Sequence, residues 1–136
     1  MGRMMFVSLP VEDLTKSVDF FTALGFGFDP RFTDENGTCM VVGEDSFVML
    51  LVKPFFETFT GGKELADSHT HSEAIMALSA ESREEVDRLC DQALEMGGRP
   101  SQEPMAEGFM YSRSFTDLDG HQWEFLYMDP AALEQS

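Results

Sequence analysis

Apolar and polar residues alternate near the start of the chain, where Val7, Leu9 and Val11 interleave with Phe6, Ser8 and Pro10. Side chains of a strand point to opposite faces in turn, so "MFVSLPV" (5–11) reads as a strand with one buried face. The period changes at Asp13, a residue suited to cap a helix N-terminus. Leu14, Val18, Phe21 and Leu24 then recur at helical spacing, and Gly25 ends the helix. Strands are predicted near 27–33, 38–43 and 46–53, separated by turns at Asn36-Gly37 and Glu44-Asp45.

Residues 54–72 break this pattern. Pro54, Gly61-Gly62 and many small polar residues predict a short helical turn over Pro54–Phe59 and then a connecting loop. "EAIMALSAES" (73–82) is again a strand. Ser82 and Glu85 form an S-x-x-E capping box, Val86, Leu89, Cys90, Ala93 and Leu94 make a helical stripe, and Gly97-Gly98 closes it. Strands over Arg99–Glu103, Phe109–Thr116 and His121–Met128 complete the chain, and Pro104 assigns 100–108 to an edge or a loop. The order is strand, helix, three strands, twice over. The expectation is one domain, 1–136, of α+β class, with a module 1–60 and a module 72–129 joined by the loop 61–71. The repeat rests on pattern more than on letters.

A chain of 136 residues with 13 Phe and 10 Met can build a core without staples. Its two cysteines, Cys39 and Cys90, make no disulfide framework and read as buried thiols. The net charge of −16 repels phosphate backbones and anionic lipid, which argues against nucleic acid and membrane partners and would attract a cationic small molecule. Solubility explains the same charge without any ligand. No apolar run is long enough for a membrane span and "MGRMMFVSLP" lacks the h-region of a signal peptide, so the expected location is cytoplasmic.

"LPVEDLTKSVDFFTALGF" (9–26) and "SFTDLDGHQWEF" (114–125), taken with the duplicated element order, resemble the vicinal oxygen chelate superfamily. That superfamily includes glyoxalase I, bleomycin resistance proteins, fosfomycin resistance enzymes and extradiol dioxygenases. The resemblance implies two βαβββ modules of mixed sheet around a shared cavity, a homodimer, and in enzymatic members a divalent metal held from the first and fourth strands of each module. Carried over one position at a time, those ligand slots fall on Phe6, Met49, Ile75 and Glu124. Phe and Ile have no lone pair to donate, and the Met thioether suits soft ions. One carboxylate does not hold Zn, Fe, Mn or Mg. The expectation is therefore no metal at the usual place and no cofactor. His69 and His71, in the inter-module loop, read as solvated rather than ligating, and His121 as a solvent-facing or turn-capping residue.

Strand alternation places Trp123, Phe125 and Tyr127 against the helices, with Gln122, Glu124, Leu126 and Met128 on the other face. The same parity gives a candidate cavity wall of Phe6, Ser8, Phe47, Met49, Leu51, Ile75, Ala77 and Ser79. A filled core between two sheets is the plainer reading of these residues. A turn over Asp117–Gly120, with Thr116 opposite His121, would set Arg113 opposite Glu124 and beside Tyr111. Arg113 and Glu124 would then form a charge pair on the wall, either internally satisfied or reaching an oxygen of a ligand. With the register shifted by one, Glu124 loses that partner and becomes a candidate general base. The expected function is a glyoxalase/bleomycin-resistance-like protein that binds a small, largely apolar or cationic molecule without the usual catalytic metal. The alternative is a metal-dependent lyase, isomerase or dioxygenase of the same superfamily.

Overall fold

Asp13 marks where the first strand gives way to a helix: its Oδ1 accepts the backbone N–H of Lys16 at 3.1 Å, satisfying one of the orphan donors of the helix N-terminus. In the computed structural model, which describes residues 2–133, the first unit runs β1 (Met5–Val11), α1 (Leu14–Ala23), β2 (Gly27–Asp34), β3 (Gly37–Gly43), β4 (Ser46–Val52) and α2 (Lys53–Glu57). Its sheet has the order β1-β4-β3-β2, with β1 parallel to β4 and the other neighbours antiparallel. One face buries Leu9, Val11, Met40, Val48 and Leu50, and α1 buries Phe20 and Phe21, with Leu24 buried at its C-cap. Each such side chain taken out of water contributes roughly 1.5–3 kcal/mol.

The second unit begins at Asp67. It runs β5 (Ile75–Ser79), α3 (Arg83–Glu95), β6 (Arg99–Pro100), β7 (Met105–Glu107), β8 (Met110–Thr116), β9 (Gln122–Met128) and α4 (Pro130–Leu133). β5 lies parallel to β9, β9 antiparallel to β8, and both β6 and β7 pair with β8. The order β1-β4-β3-β2 thus recurs as β5-β9-β8 followed by a broken edge strand. This is the α+β fold that the duplicated pattern implies. Ser82 Oγ accepts the N–H of Glu85 at 3.0 Å, and the Glu85 carboxylate reaches back to the N–H of Glu81 rather than to that of Ser82. Val86, Leu89, Cys90 and Ala93 are buried against Phe115, Trp123 and Phe125.

The second unit departs from expectation where the strand predicted over 99–103 stops at Pro100 and where its first strand, expected over 73–82, is confined to 75–79. β7 lies within 100–108 and takes the edge option of the edge-or-loop assignment. Pro104 has no N–H to give to the ladder, so the edge splits into two short pieces. Between them the Gln102 N–H donates to Ser114 Oγ at 2.8 Å. No helix among the described residues is long and apolar enough to cross a membrane.

Candidate functional site

The turn joining β8 to β9 determines which side chains share a face. The Asp117 N–H donates to the His121 carbonyl at 2.9 Å, so these two residues close the ladder and the loop is Leu118-Asp119-Gly120. Gly120 has φ +85°, as the left-handed position of a three-residue hairpin loop requires. The Asp117 carboxylate accepts the backbone N–H groups of Asp119 at 2.9 Å and His121 at 3.0 Å, and the Trp123 indole N–H at 2.9 Å. Burial pushes the Asp117 carboxyl up, against the opposing pull of His121 and these three donors. His121 is itself only 7% exposed, so of the two expectations for it, facing solvent or capping the turn, the first does not hold. A Cβ on Gly120 would stand 2.7 Å from the His69 backbone nitrogen, so the missing side chain lets the 68–69 backbone pack on the turn.

A three-residue loop shifts the register by one from the expected four-residue turn. Thr116 faces Gln122, Ser114 faces Glu124, and Arg113 faces Phe125. The expected Arg113–Glu124 pair is therefore absent, because one step of register turns a side chain to the opposite face. Tyr111 and Arg113 leave the candidate wall for the α3 side. There Arg113 Nη1 donates to Asp87 Oδ1 at 3.0 Å, Arg113 Nη2 lies 3.0 Å from Asp91 Oδ1, and Tyr111 donates to the same Asp87 oxygen at 2.6 Å. The Tyr111 hydroxyl, then Arg113, hold the Asp87 carboxyl below the usual range. The Arg83 guanidinium lies 5.4 Å from the Tyr111 ring centroid. Asp87 and Asp91 were not singled out from sequence. Their i, i+4 spacing on the polar side of a helix that faces a strand arginine is the signal that would have found them.

On the other face of this sheet, Ile75, Ala77 and Ser79 of β5 stand in register with Gln122, Glu124 and Leu126 of β9. Ile75 is 54% exposed and Glu124 half-buried. Among the described residues the Glu124 carboxylate has no ion-pair or hydrogen-bond partner. Ser72 Oγ lies 3.5 Å from Gln122 Oε1.

In the first unit, β1 and β4 set Phe6 beside Phe47 and Ser8 beside Met49, with Cys39 opposite Met49 and Val41 opposite Phe47 on β3. The rings of Phe6 and Phe47 stack with centroids 5.0 Å apart and planes 16° apart, and Phe6 keeps 54% of its surface in solvent. Just past this rung, the β3–β4 turn carries Glu44 and Asp45, neither of them in an ion pair among the described residues. Each sheet thus presents a partly open face: aromatic and thioether around Phe6, Phe47 and Met49 in the first unit, and along β5 and β9 in the second aliphatic with the Glu124 carboxylate and the Gln122 carboxamide. Such a mixture of apolar surface and sparse polar groups suits a small organic molecule.

The same residues do not suit a hard divalent cation. Phe6 and Ile75 offer no donor atom, Met49 offers a thioether, and Glu124 alone offers a carboxylate oxygen. Among the described residues no three His, Cys, Asp or Glu side chains gather as a metal-binding group. His69 and His71 are exposed; His71 Nδ1 lies 2.8 Å from Thr70 Oγ1, and the His69 N–H donates to Asp67 Oδ1 at 3.0 Å. Asp67 and Thr70 shape a turn around them.

Residues 3–43 match the family described as bleomycin resistance protein-like N-terminal. No curated protein matches the chain in sequence. Among solved structures, the hypothetical protein SA1046 from S. aureus is 32% identical, with a TM-score of 0.78 over 93% of this chain and 95% of that one. A glyoxalase/bleomycin resistance protein/dioxygenase family enzyme from Burkholderia phytofirmans PsJN superposes with a TM-score of 0.78 at 13% identity, covering 93% of this chain and 99% of its own. The fosfomycin resistance protein FosX from Listeria monocytogenes gives 0.67 at 17% identity, covering 96% and 97%. The last two likenesses are of fold.

Proposed function

Because the chain belongs to the vicinal oxygen chelate superfamily, and because three of the four positions where that superfamily places metal ligands carry Phe6, Met49 and Ile75, we propose that it binds a small, largely apolar or cationic molecule without the usual catalytic metal. The observation that carries this reading is the stacked, half-exposed Phe6–Phe47 pair at the first of those positions. An aromatic shelf replaces a ligand atom there, and a shelf recognises a ring or an alkyl surface. The neighbouring carboxylates of Glu44 and Asp45, and the net charge of −16, favour a ligand with a positive group. The proposal includes a homodimer in the cytoplasm as the working form. The second unit, taken by itself, offers a face of similar make-up, with Ile75 and Ala77 for apolar contact and Gln122 and Glu124 for polar groups.

A thermal-shift panel of apolar amines, neutral aromatics and organic anions tests this. Amines and aromatics stabilise the protein in proportion to RT ln(1 + [L]/Kd), anions do not, and Phe6→Ala removes the effect. A panel in which no apolar or cationic compound raises the melting temperature overturns the reading.

The competing reading is a metal-dependent lyase, isomerase or dioxygenase of the same superfamily. Glu124 favours it, as a half-buried carboxylate with no counter-charge among the described residues is a candidate base. It requires at least two further hard donors beside Glu124; the Gln122 carboxamide shares its face, but among the described residues no His, Cys, Asp or Glu side chains gather with it as a metal-binding group. Elemental analysis of the purified protein distinguishes the two: a stoichiometric transition metal lost in Glu124→Gln selects the enzyme.

A further inference from the structure

By strand register, three methionines share the end of the β7–β8–β9 face away from Gln122 and Glu124. The bonds Asp117 N–H to His121 O and Asp129 N–H to Phe109 O identify those two residue pairs as hydrogen-bonded rungs of the β8–β9 ladder. Rungs alternate, so Met110 and Met128, which face each other, form a non-hydrogen-bonded rung. In such a rung the Cα atoms approach to about 4.5 Å and the side chains are at their closest. On the other side of β8, Glu107 faces Met110 and Met105 faces Ser112. Met105 is then the diagonal neighbour of Met110, about 7–8 Å away and within reach of an unbranched side chain.

All three side chains project from the same face as Glu124. None is sealed into the core: Met105 is 45% exposed, Met128 37%, and Met110 half-buried. Packing against the helix therefore does not account for this cluster. A thioether is a neutral, soft donor that does not titrate. Such donors select Cu(I)-like ions over Zn, Mg or Ca.

We propose that Met105, Met110 and Met128 form a thioether site for a soft monovalent cation of the Cu(I) or Ag(I) class, with Glu107 supplying the compensating negative charge. The site is independent of the small-molecule reading and uses none of its residues. Met105 and Glu107 come from the broken edge strand, Met110 from β8 and Met128 from β9, so ion binding would tie the edge to the sheet. The two thiols, which would compete for a soft ion, are buried at Cys39 (2% exposed) and Cys90 (1%). Burial pushes both thiols up, Cys90 to about 11, which keeps them protonated and poor ligands near neutral pH.

The test is a titration of the protein with silver nitrate in chloride-free buffer, followed by NMR of the 13C-labelled methionine methyl groups and by thiol reactivity after unfolding. Three methyl signals move together and saturate at one equivalent, and they are the signals missing from Met105→Leu, Met110→Leu and Met128→Leu. Leucine keeps the apolar volume, so any loss reports the sulfur. Each variant weakens silver binding by about tenfold or more, roughly 1.4 kcal/mol, with little change in melting temperature. The proposal is overturned if the leucine variants bind silver as tightly as the parent, if all methionine signals shift alike, or if silver occupies the cysteines first.

Discussion

Arg113 reaches Asp87, not Glu124: its Nη1 lies 3.0 Å from Asp87 Oδ1 on α3, while Ser114 is the residue that faces Glu124 across the β8–β9 ladder. The Arg113 side chain is 19% exposed and its partner Asp87 48%. Solvent screens the half-exposed partner, so the pair is worth less than a buried one. Arg113→Met is expected to lower stability by about 1–2 kcal/mol through lost charged hydrogen bonds, measured as a shift in urea midpoint at constant slope. An unchanged midpoint would show that the guanidinium is held by nothing.

Asp87 gives that contact a pH dependence. Its folded carboxyl lies below the ordinary value of 3.8, first because the Tyr111 hydroxyl donates to it and then because Arg113 does. A lowered folded pKa favours the folded state when the group is ionised. The contribution is complete above the unfolded value, erodes as pH falls through it, and is gone below the folded value. Urea midpoints between about pH 6 and pH 2.5 should therefore fall less steeply for Asp87→Asn than for the parent. Parallel curves would count against the pair.

Glu124 is expected to behave in the opposite way. Glu124→Gln removes a charge that has no partner among the described residues, so stability should change by less than about 0.5 kcal/mol. A loss above that, by thermal or chemical unfolding, would reveal a partner on its face. Binding of a cationic ligand should weaken in the same variant, by isothermal calorimetry.

The hairpin turn is the most sensitive position predicted here. Asp117 is acceptor-only toward three N–H donors, two of the backbone and the Trp123 indole. Asn at 117 has the same shape but turns one acceptor into a donor, leaving buried N–H groups unmatched. Asp117→Asn should cost about 1–3 kcal/mol. Gly120→Ala should cost a similar amount, about 1–3 kcal/mol, from the positive φ and the backbone of Ser68 and His69 that its methyl would meet. Retention of the parent melting temperature in both variants would contradict this account of the turn.

Buried thiols should be silent. Cys39 and Cys90 are expected to resist maleimide at pH 8 in the folded protein and to react once urea unfolds it, since burial both hides them and disfavours the thiolate. Labelling of either in the native state would place it at a mobile surface.

Local chemistry was enough to read the element order apart from the split edge and α4. Val7, Leu9 and Val11 against Phe6, Ser8 and Pro10, the caps Asp13 and Ser82, and the stops at Gly25 and Gly97 each act within a few residues, and each appears where the pattern places it. Faces within β1, β4, β5 and β9 followed from alternation along single strands, and so did the burial of Trp123 and Phe125. The partner of Glu124 did not follow. It depends on whether the loop after β8 holds three residues or four, and both suit the letters Asp-Leu-Asp-Gly. The choice is made by groups distant in the ladder, since Asp117 gathers the Trp123 indole and Gly120 gives way to the 68–69 backbone. One residue of register then sends Arg113 to α3 and leaves Glu124 without a charge partner among the described residues. Periodicity is a property of one strand, whereas register is settled only when two strands and what packs on their turn meet.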